Sequence, residues 1–278
     1  MTQGKDDLPE KLNDWLRREG YPFEMRVAQS FRKAGFHITQ SDYYTDPETN
    51  TPREIDVVAT VQRSTKDNLI FRIMFLIECK SSTDKPWLLF CGPEKDMAAP
   101  ARVTQRITSR MGMLVFYELA DDTNVQQLAL FSLRAPVGYG LTQAFKKDKD
   151  LAYAATCSIG NAAKAAAINW NRHPHKDRIV ELIFPVIAID GRLFQCNLDE
   201  TDEISVTEIT WATLLWRNAM PPLTTTIIDV QTRSSIESFA AQSFEAASAL
   251  LTNYYDLVEQ AFVRIKKGIP RLPTATRR

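Results

Sequence analysis

Two apolar runs separated by a short polar segment constrain the fold of this chain more than any other feature. They lie in residues 53–80, which read REIDVVATVQRSTKDNLIFRIMFLIECK. Residues 55–62 and 69–79 are rich in β-branched and aromatic side chains, which favours an antiparallel hairpin. Because side chains alternate between the faces of a strand, one face of this hairpin is apolar and predicted to be core. That face carries Val57, Ala59, Val61, Phe71, Ile73, Phe75, Ile77 and Cys79.

The opposite face of the hairpin carries three charged residues, Asp56, Glu78 and Lys80. A turn centred near Asp67 would place Asp56 directly opposite Glu78, and opposed residues lie about 4.5–5.5 Å apart. Two like charges at this distance repel each other, and a divalent cation would neutralise them. The register is open by a residue or two, because hairpin loops of this size vary.

Asp56 followed by Glu78-Cys79-Lys80 resembles the active-site motif of the PD-(D/E)XK nuclease superfamily, which has the restriction-endonuclease-like fold. The resemblance covers the hairpin and the helix before it, and Ile55 stands where the name-giving proline often lies. It implies that Asp56, Glu78 and the backbone carbonyl of Cys79 bind Mg²⁺ or Mn²⁺. It also implies that Lys80 orients or helps to deprotonate the attacking water.

Glu24 is the fourth candidate for the site. A first helix is predicted over Leu8–Glu19 and a second over residues 22–34, where Pro22 suits the first turn. Glu24 lies at the edge of the apolar face of the second helix. The resemblance implies that Glu24 binds a metal directly or through water. The alternative is a glutamate that only stabilises the start of the helix dipole.

The remaining pattern predicts an α/β fold with a mixed sheet, of the α+β type. A strand over residues 36–44 precedes the hairpin, and a small-residue helix over 150–169 follows it. Helix 101–111 and strands 113–119 and 125–133 are predicted in between. Further strands are predicted at 179–189, 192–197, 205–216 and 224–230, and a long helix at 235–267, preceded by a Ser234–Glu237 capping box.

Two local signals refine the second half. Pro185 predicts an edge or bulged position within strand 179–189, since proline cannot donate to a sheet hydrogen bond. Asp190-Gly191 predicts a two-residue hairpin between strands 179–189 and 192–197.

The domain organisation follows from the same pattern. No composition break marks a linker, so residues 1–278 are interpreted as a single elaborated domain. Its restriction-endonuclease-like core is predicted over residues 22–80 and about 150–198, with flanking helices. Residues 97–145 are interpreted as an insertion after the catalytic hairpin, and 205–267 as C-terminal strands and the long helix.

The charge balance excludes a global electrostatic attraction to nucleic acid. The chain has 34 basic and 34 acidic residues, so binding to nucleic acid requires a local basic patch. The candidates are Lys146, Lys147 and Lys149, a helical stripe of Arg102, Gln105, Arg106 and Arg110, and a groove lined by Lys85 and Trp87. A solvated helix face and buried packing of the tryptophan are the alternatives.

Cysteine use and hydropathy indicate a cytoplasmic protein without membrane spans. The four cysteines are widely spaced and form no CxxC, which is typical of reduced thiols. The polar N-terminus is not a signal peptide, and no apolar run reaches membrane length. His173 and His175 lack a third ligand nearby and are interpreted as part of a surface turn.

The resemblance therefore implies a Mg²⁺-dependent nuclease that hydrolyses phosphodiester bonds; DNA is the first choice of substrate, and the sequence leaves DNA versus RNA open. The alternative is a module on the same fold that binds nucleic acid or protein without cutting it. A homodimer or a protein partner through the C-terminal helix is open in either case. The simplest structural alternative is that Glu78 and Lys80 form an exposed charge pair, worth about 0–1 kcal/mol.

Overall fold

Two sheets and eight helices form the described part of the chain in a computed structural model. It describes residues 7–64, 69–82, 84–92, 97–146, 150–172, 176–199, 201–217 and 225–268. The helices are α1 (Leu8–Glu19), α2 (Tyr21–Ala34), α3 (Ala99–Thr104), α4 (Arg110–Leu119), α5 (Thr123–Gln126), α6 (Leu151–Arg172), α7 (Ile236–Asn253) and α8 (Tyr255–Lys266). The strands are β1 (His37–Thr45), β2 (Pro52–Ser64), β3 (Ile70–Ser81), β4 (Trp87–Phe90), β5 (Ile107–Thr108), β6 (Val137–Gly138), β7 (Gly140–Gln143), β8 (Ile179–Asp190), β9 (Leu193–Leu198), β10 (Ile204–Ile209), β11 (Trp211–Trp216) and β12 (Thr226–Thr232).

The larger sheet is mixed and has the order β1-β2-β3-β8-β12-β11-β6, with β5 paired to β8. The predicted hairpin is confirmed, because β2 and β3 pair antiparallel with Val57 opposite Ile77. Continued by one residue, this register places Asp56 opposite Glu78, as the sequence predicts. The turn at residues 65–68 lies outside the described residues. Strand β8 lies at the centre, parallel to both β3 and β12.

Both faces of the larger sheet are buried, which explains why its central strands are almost wholly apolar. Helices α2, α4, α7 and α8 cover the face that carries Val57, Phe75 and Phe184. Helix α6 packs on β3 and β8 on the other face, where Leu76 and Ile187 lie. The second sheet, in the order β10-β9-β4-β7, contributes to the hydrophobic cluster on this face of the larger sheet. The predicted helix over 150–169 is confirmed as α6.

The segment between the hairpin and α6 differs from the prediction. No single helix spans 101–111, and the predicted strands at 113–119 and 125–133 are wrong, because α4 and α5 lie there. Helix α4 buries Met111, Val115, Phe116 and Leu119, a helical spacing that the apolar run concealed. The hydroxyl of Ser109 caps the helix by accepting from the Gly112 amide at 3.1 Å.

The predictions at Pro185 and Asp190-Gly191 are both wrong. Strand β8 is central, and Pro185 lies where its second edge changes partner, from β5 at Ile183 to β12 at Val186. Strand β9 does not return beside β8 but joins the second sheet, parallel to β4. Gly191 is required by close approach, since a Cβ there would lie 2.4 Å from the Ser82 carbonyl oxygen.

Two further boundaries differ near the C-terminus. The predicted strand 205–216 is two strands, β10 and β11, which belong to different sheets. The predicted long helix is interrupted at Tyr254, between α7 and α8. The capping box is absent at α7: the hydroxyl of the N-cap residue Ser235 caps no helix amide and instead donates to the Thr210 carbonyl at 2.8 Å. The Ser234 hydroxyl lies 2.9 Å from that of Thr232.

The carboxylate of Asp150 fixes the start of α6 and supports a prediction about stability. It accepts from the amides of Ala152 and Tyr153 at 3.1 and 3.2 Å and from Lys146 at 2.5 Å. Burial would raise the pKa of this carboxyl, but Lys146, the Thr142 hydroxyl and backbone amides outweigh burial and lower the pKa to about 2. We expect Asp150→Ala to lower the free energy of unfolding by about 1–2 kcal/mol at pH 7.

Because the folded-state pKa is lowered, this contribution is complete above the unfolded value near 3.8 and disappears as pH falls toward 2. Urea denaturation between pH 7 and pH 3 measures the trend. Asp150→Asn is the control, because its amide oxygen still accepts at the helix start. Equal stability of the alanine variant and wild type at pH 7 would contradict the expectation.

Candidate active site

Asp56 lies within strand β2 where the pairing with β1 is interrupted. The pairing of β1 with β2 omits Ser41 and Asp56, and Ser41 has a positive φ of 51°. The break also interrupts the alternation of side chains, since Ile55 packs in the same cluster as Val58. With the β2–β3 register ending at Val57, the carboxylate of Asp56 accepts the Cys79 amide at 2.6 Å. The side chain therefore replaces a backbone acceptor and is held against β3.

Glu78 and Lys80 lie on β3 beside this contact. The Lys80 ammonium lies 2.5 Å from Glu78 Oε1 and donates to the Cys79 carbonyl at 3.2 Å. The Ser158 hydroxyl of α6 donates to Glu78 Oε2 at 3.1 Å, and the Tyr44 hydroxyl donates to the Ser158 carbonyl. Glu78 is only 5% exposed. The alternative of an exposed Glu78–Lys80 pair is therefore wrong, because α6 covers this face.

Glu24 belongs to the same electrostatic neighbourhood. It lies in the first turn of α2 and is half-buried. Burial raises the pKa of its carboxyl, Lys80 opposes the rise, and the charges of Glu54 and Glu78 add to it. The structure thus brings all four predicted site residues into mutual electrostatic contact. The sequence prediction did not include Glu54, an exposed neighbour.

Asp56 has the most perturbed pKa of the four predicted site residues. Burial raises the pKa of its carboxyl to about 7, and the nearby charge of Glu78 contributes to the rise. The Cys79 amide and Lys80 oppose this effect. Burial would lower the pKa of the Lys80 ammonium, but Glu78 reverses the direction and raises it. A buried carboxyl whose pKa is raised by a neighbouring carboxylate, beside a lysine, makes this cluster a candidate functional site.

The oxygen donors of Asp56, Glu78 and the Cys79 carbonyl have the hard chemistry that Mg²⁺ or Mn²⁺ prefers. Within the described ranges, no three or more His, Cys, Asp or Glu side chains are grouped to hold a metal ion. The Lys80 ammonium contacts two of the three expected donors. The donor types therefore fit a divalent cation, while the lysine supplies the positive charge in this arrangement.

The predicted basic surfaces do not form as expected. Trp87 is completely buried and Arg106 is 4% exposed, so neither lies on a nucleic-acid groove. Arg102, Arg106 and Arg110 do not share one helix face, because α3 ends at Thr104 and α4 begins at Arg110. Lys146 pairs with Asp150. The other two lysines of this predicted patch, Lys147 and Lys149, lie outside the described residues. The predicted surface turn at His173 and His175 also lies outside them.

Sequence reasoning missed two kinds of residue. Ser158 and Tyr44 support Glu78 from distant elements, and no local motif signals such contacts. Arg17, Arg18, Arg26 and Arg233 also lie beside the end of β3, where they line one cleft. The Arg17-Arg18 pair at the end of α1 was the visible signal, although it also suits an ordinary helix C-terminus.

The geometry defines a class of protein: a mixed α/β scaffold with a carboxylate and lysine site where the β2–β3 pairing ends. No protein-family model, curated protein or solved structure matches the chain. Among the described helices, none has both the length and the apolar character needed to cross a bilayer. The resemblance to the PD-(D/E)XK superfamily therefore rests on the motif itself.

Proposed function

We propose that the protein is a metal-dependent nuclease that hydrolyses phosphodiester bonds, with DNA as the substrate. One observation carries the proposal: the Asp56 carboxylate is anchored on the Cys79 amide while Glu78 and Lys80 form a close pair on the same strand. Within this proposal, α2, β1, β2, β3, α6 and β8 constitute a restriction-endonuclease-like core. The protein is then a member of the PD-(D/E)XK superfamily.

Each residue has a distinct role in this chemistry. Asp56, Glu78 and the Cys79 carbonyl would hold Mg²⁺ or Mn²⁺, and Glu24 would bind it directly or through water. A bound metal supplies Lewis acidity and activates water for attack on phosphorus. The Cys79 amide keeps the Asp56 carboxylate on β3, and Ser158 orients Glu78. Lys80 places a donor beside the attacking water and offsets the charge of the phosphate.

The experiment is a substrate panel. Purified protein is incubated with plasmid, linear double-stranded DNA, single-stranded DNA and RNA, in Mg²⁺, Mn²⁺ or EDTA. We expect cleavage of DNA that requires the metal, and a loss of at least about 100-fold in Asp56→Asn and Lys80→Ala. Lys33→Ala is the matched control, since Lys33 is an exposed lysine at the end of α2.

The outcomes separate the two candidate activities. Metal-dependent cleavage that both site variants abolish, and the control retains, supports the nuclease. Tight binding without cleavage in any metal refutes the nuclease and supports the module that only binds. Cleavage that persists in Asp56→Asn and Lys80→Ala would refute this site, because the activity would then come from elsewhere or from a contaminant.

A further inference from the structure

A cleft of about 540 Å³ opens where the α1–α2 corner meets the end of β3. Ser81 and Ser82, which directly follow Lys80, line it together with Gly20. A Cβ at Gly20 would lie 3.4 Å from the Ser81 Cβ, so the helix corner touches the strand end. The cleft therefore begins within one residue of the candidate active site.

Four arginines line this cleft: Arg17 and Arg18 at the end of α1, Arg26 in α2, and Arg233 after β12. Among the described residues, two acidic side chains, Asp84 and Asp190, line it as well. The formal charge of the lining is therefore four positive and two negative, or +2. In a chain with no net charge, this is a local excess of positive charge.

Arg233 is the fixed member of the group. Its guanidinium pairs with Asp190 and lies 5.7 Å from the centroid of the Phe23 ring. Its backbone amide donates to the Ile189 carbonyl at 2.9 Å, which ties it to the end of β8. These contacts hold one cation at the wall of the cleft, and a preorganised cation loses little freedom when it binds an anion.

The other three arginines lie on exposed helix surfaces with donors to spare. Among the described residues, the guanidinium of Arg26 has no hydrogen-bond or ion-pair partner. Arg18 donates through Nε to the Asp14 carbonyl at 3.3 Å, and Arg17 lies 3.7 Å from the Asp14 carboxylate. An exposed ion pair of this length contributes little, so these groups can exchange it for a phosphate.

We propose that this cleft binds a backbone phosphate of the substrate strand next to the phosphate that is cut. The inference rests on the proposed function, which supplies the substrate strand. Helix α2 presents Glu24 to the carboxylate cluster and Arg26 to the cleft. Strand β3 likewise presents Lys80 to the carboxylate cluster and Ser81 to the cleft. A strand held in the cleft thus passes directly to the candidate active site.

The test measures binding in EDTA, where cleavage plays no part. Fluorescence anisotropy of labelled 20-mer DNA, single-stranded and double-stranded, is recorded from 25 to 200 mM NaCl. The variant is Arg18→Gln/Arg26→Gln, and the control is Arg32→Gln/Lys33→Gln, which removes two charges from the exposed last turn of α2. We expect the cleft variant to bind duplex about tenfold more weakly, with a salt slope smaller by about 2.

The control should keep the wild-type affinity and slope. Equal losses in the two variants, or wild-type binding by the cleft variant, would overturn the proposal. Arg26→Glu provides a second test: charge reversal at one exposed position should weaken binding further than Arg26→Gln. A nucleoside monophosphate competing as tightly as the oligonucleotide would also overturn it, because the site would then serve a small ligand.

Failure of this proposal is distinguishable from failure of the nuclease. Binding that depends on the cleft, without cleavage in any metal, keeps the cleft and refutes the nuclease. Cleavage that depends on Asp56 and Lys80 but is indifferent to Arg18 and Arg26 keeps the nuclease and refutes the cleft.

Discussion

Asp56→Asn should have a higher free energy of unfolding than wild type at pH 8 when divalent cations are absent. The folded-state pKa of Asp56 is raised from 3.8 to about 7, mainly by burial and then by the Glu78 charge. We expect a gain of about 2–4 kcal/mol, of which the upper figure is the full shift at 1.36 kcal/mol per unit. The asparagine oxygen still accepts the Cys79 amide, so the strand contact is retained.

The sign of this pH dependence follows from the linkage between proton binding and folding. A raised pKa contributes stability below the unfolded value near 3.8, and this is lost as pH rises through about 7. The difference between Asp56→Asn and wild type should therefore be small at pH 4 and complete at pH 8. Urea denaturation in EDTA measures it, with Asp42→Asn on β1 as an exposed control. A difference that does not change with pH would contradict the expectation.

Arg72→Met should destabilise the protein by about 3–5 kcal/mol, the usual result of breaking a buried ion pair. Arg72 on β3 lies opposite Glu181 on β8, with Nη1 3.5 Å from Glu181 Oε1. Glu181 is completely buried in the central strand, so removal of the arginine withdraws a cation from a carboxylate that water cannot reach. Arg72 also donates to Gln62 at 2.9 Å, which adds to the loss.

The double variant Arg72→Met/Glu181→Leu is the informative control. Replacing both charges by apolar side chains removes the need for compensation and should recover most of the lost stability. A double-mutant cycle by urea denaturation gives the coupling between the two residues. If the losses in the two single variants simply add in the double variant, the pair does not act as a unit.

The local sequence pattern correctly predicted the hairpin, its charged face and its register. Alternation placed Val57 and Ile77 in the core, and the spacing from Asp56 to Glu78 is fixed once the turn is centred near Asp67. Helix signals were equally informative at α2, which begins with Tyr21-Pro22 and ends at Gly35, where φ is 118°. These features depend on neighbours in sequence, which is why the sequence reveals them.

Features set by distant contacts were not predictable in this way. Pro185 was misread because its missing donor is tolerated where β8 exchanges β5 for β12, a fact of sheet order. The Asp190-Gly191 turn was misread because β9 pairs with β4 from the other sheet. The support of Glu78 by Ser158, and the convergence of Arg26 and Arg233, likewise require the folded arrangement.

The central position of β8 also determines how late in folding the larger sheet can be completed. This strand is bracketed by β3, from early in the chain, and β12, from near its end. Such non-local parallel pairing closes large loops and is slow to form. Arg233 follows β12 and is tied to Asp190 at the end of β8. During synthesis, the carboxylate hairpin is therefore made long before Arg233, the last of the four arginines that line the cleft.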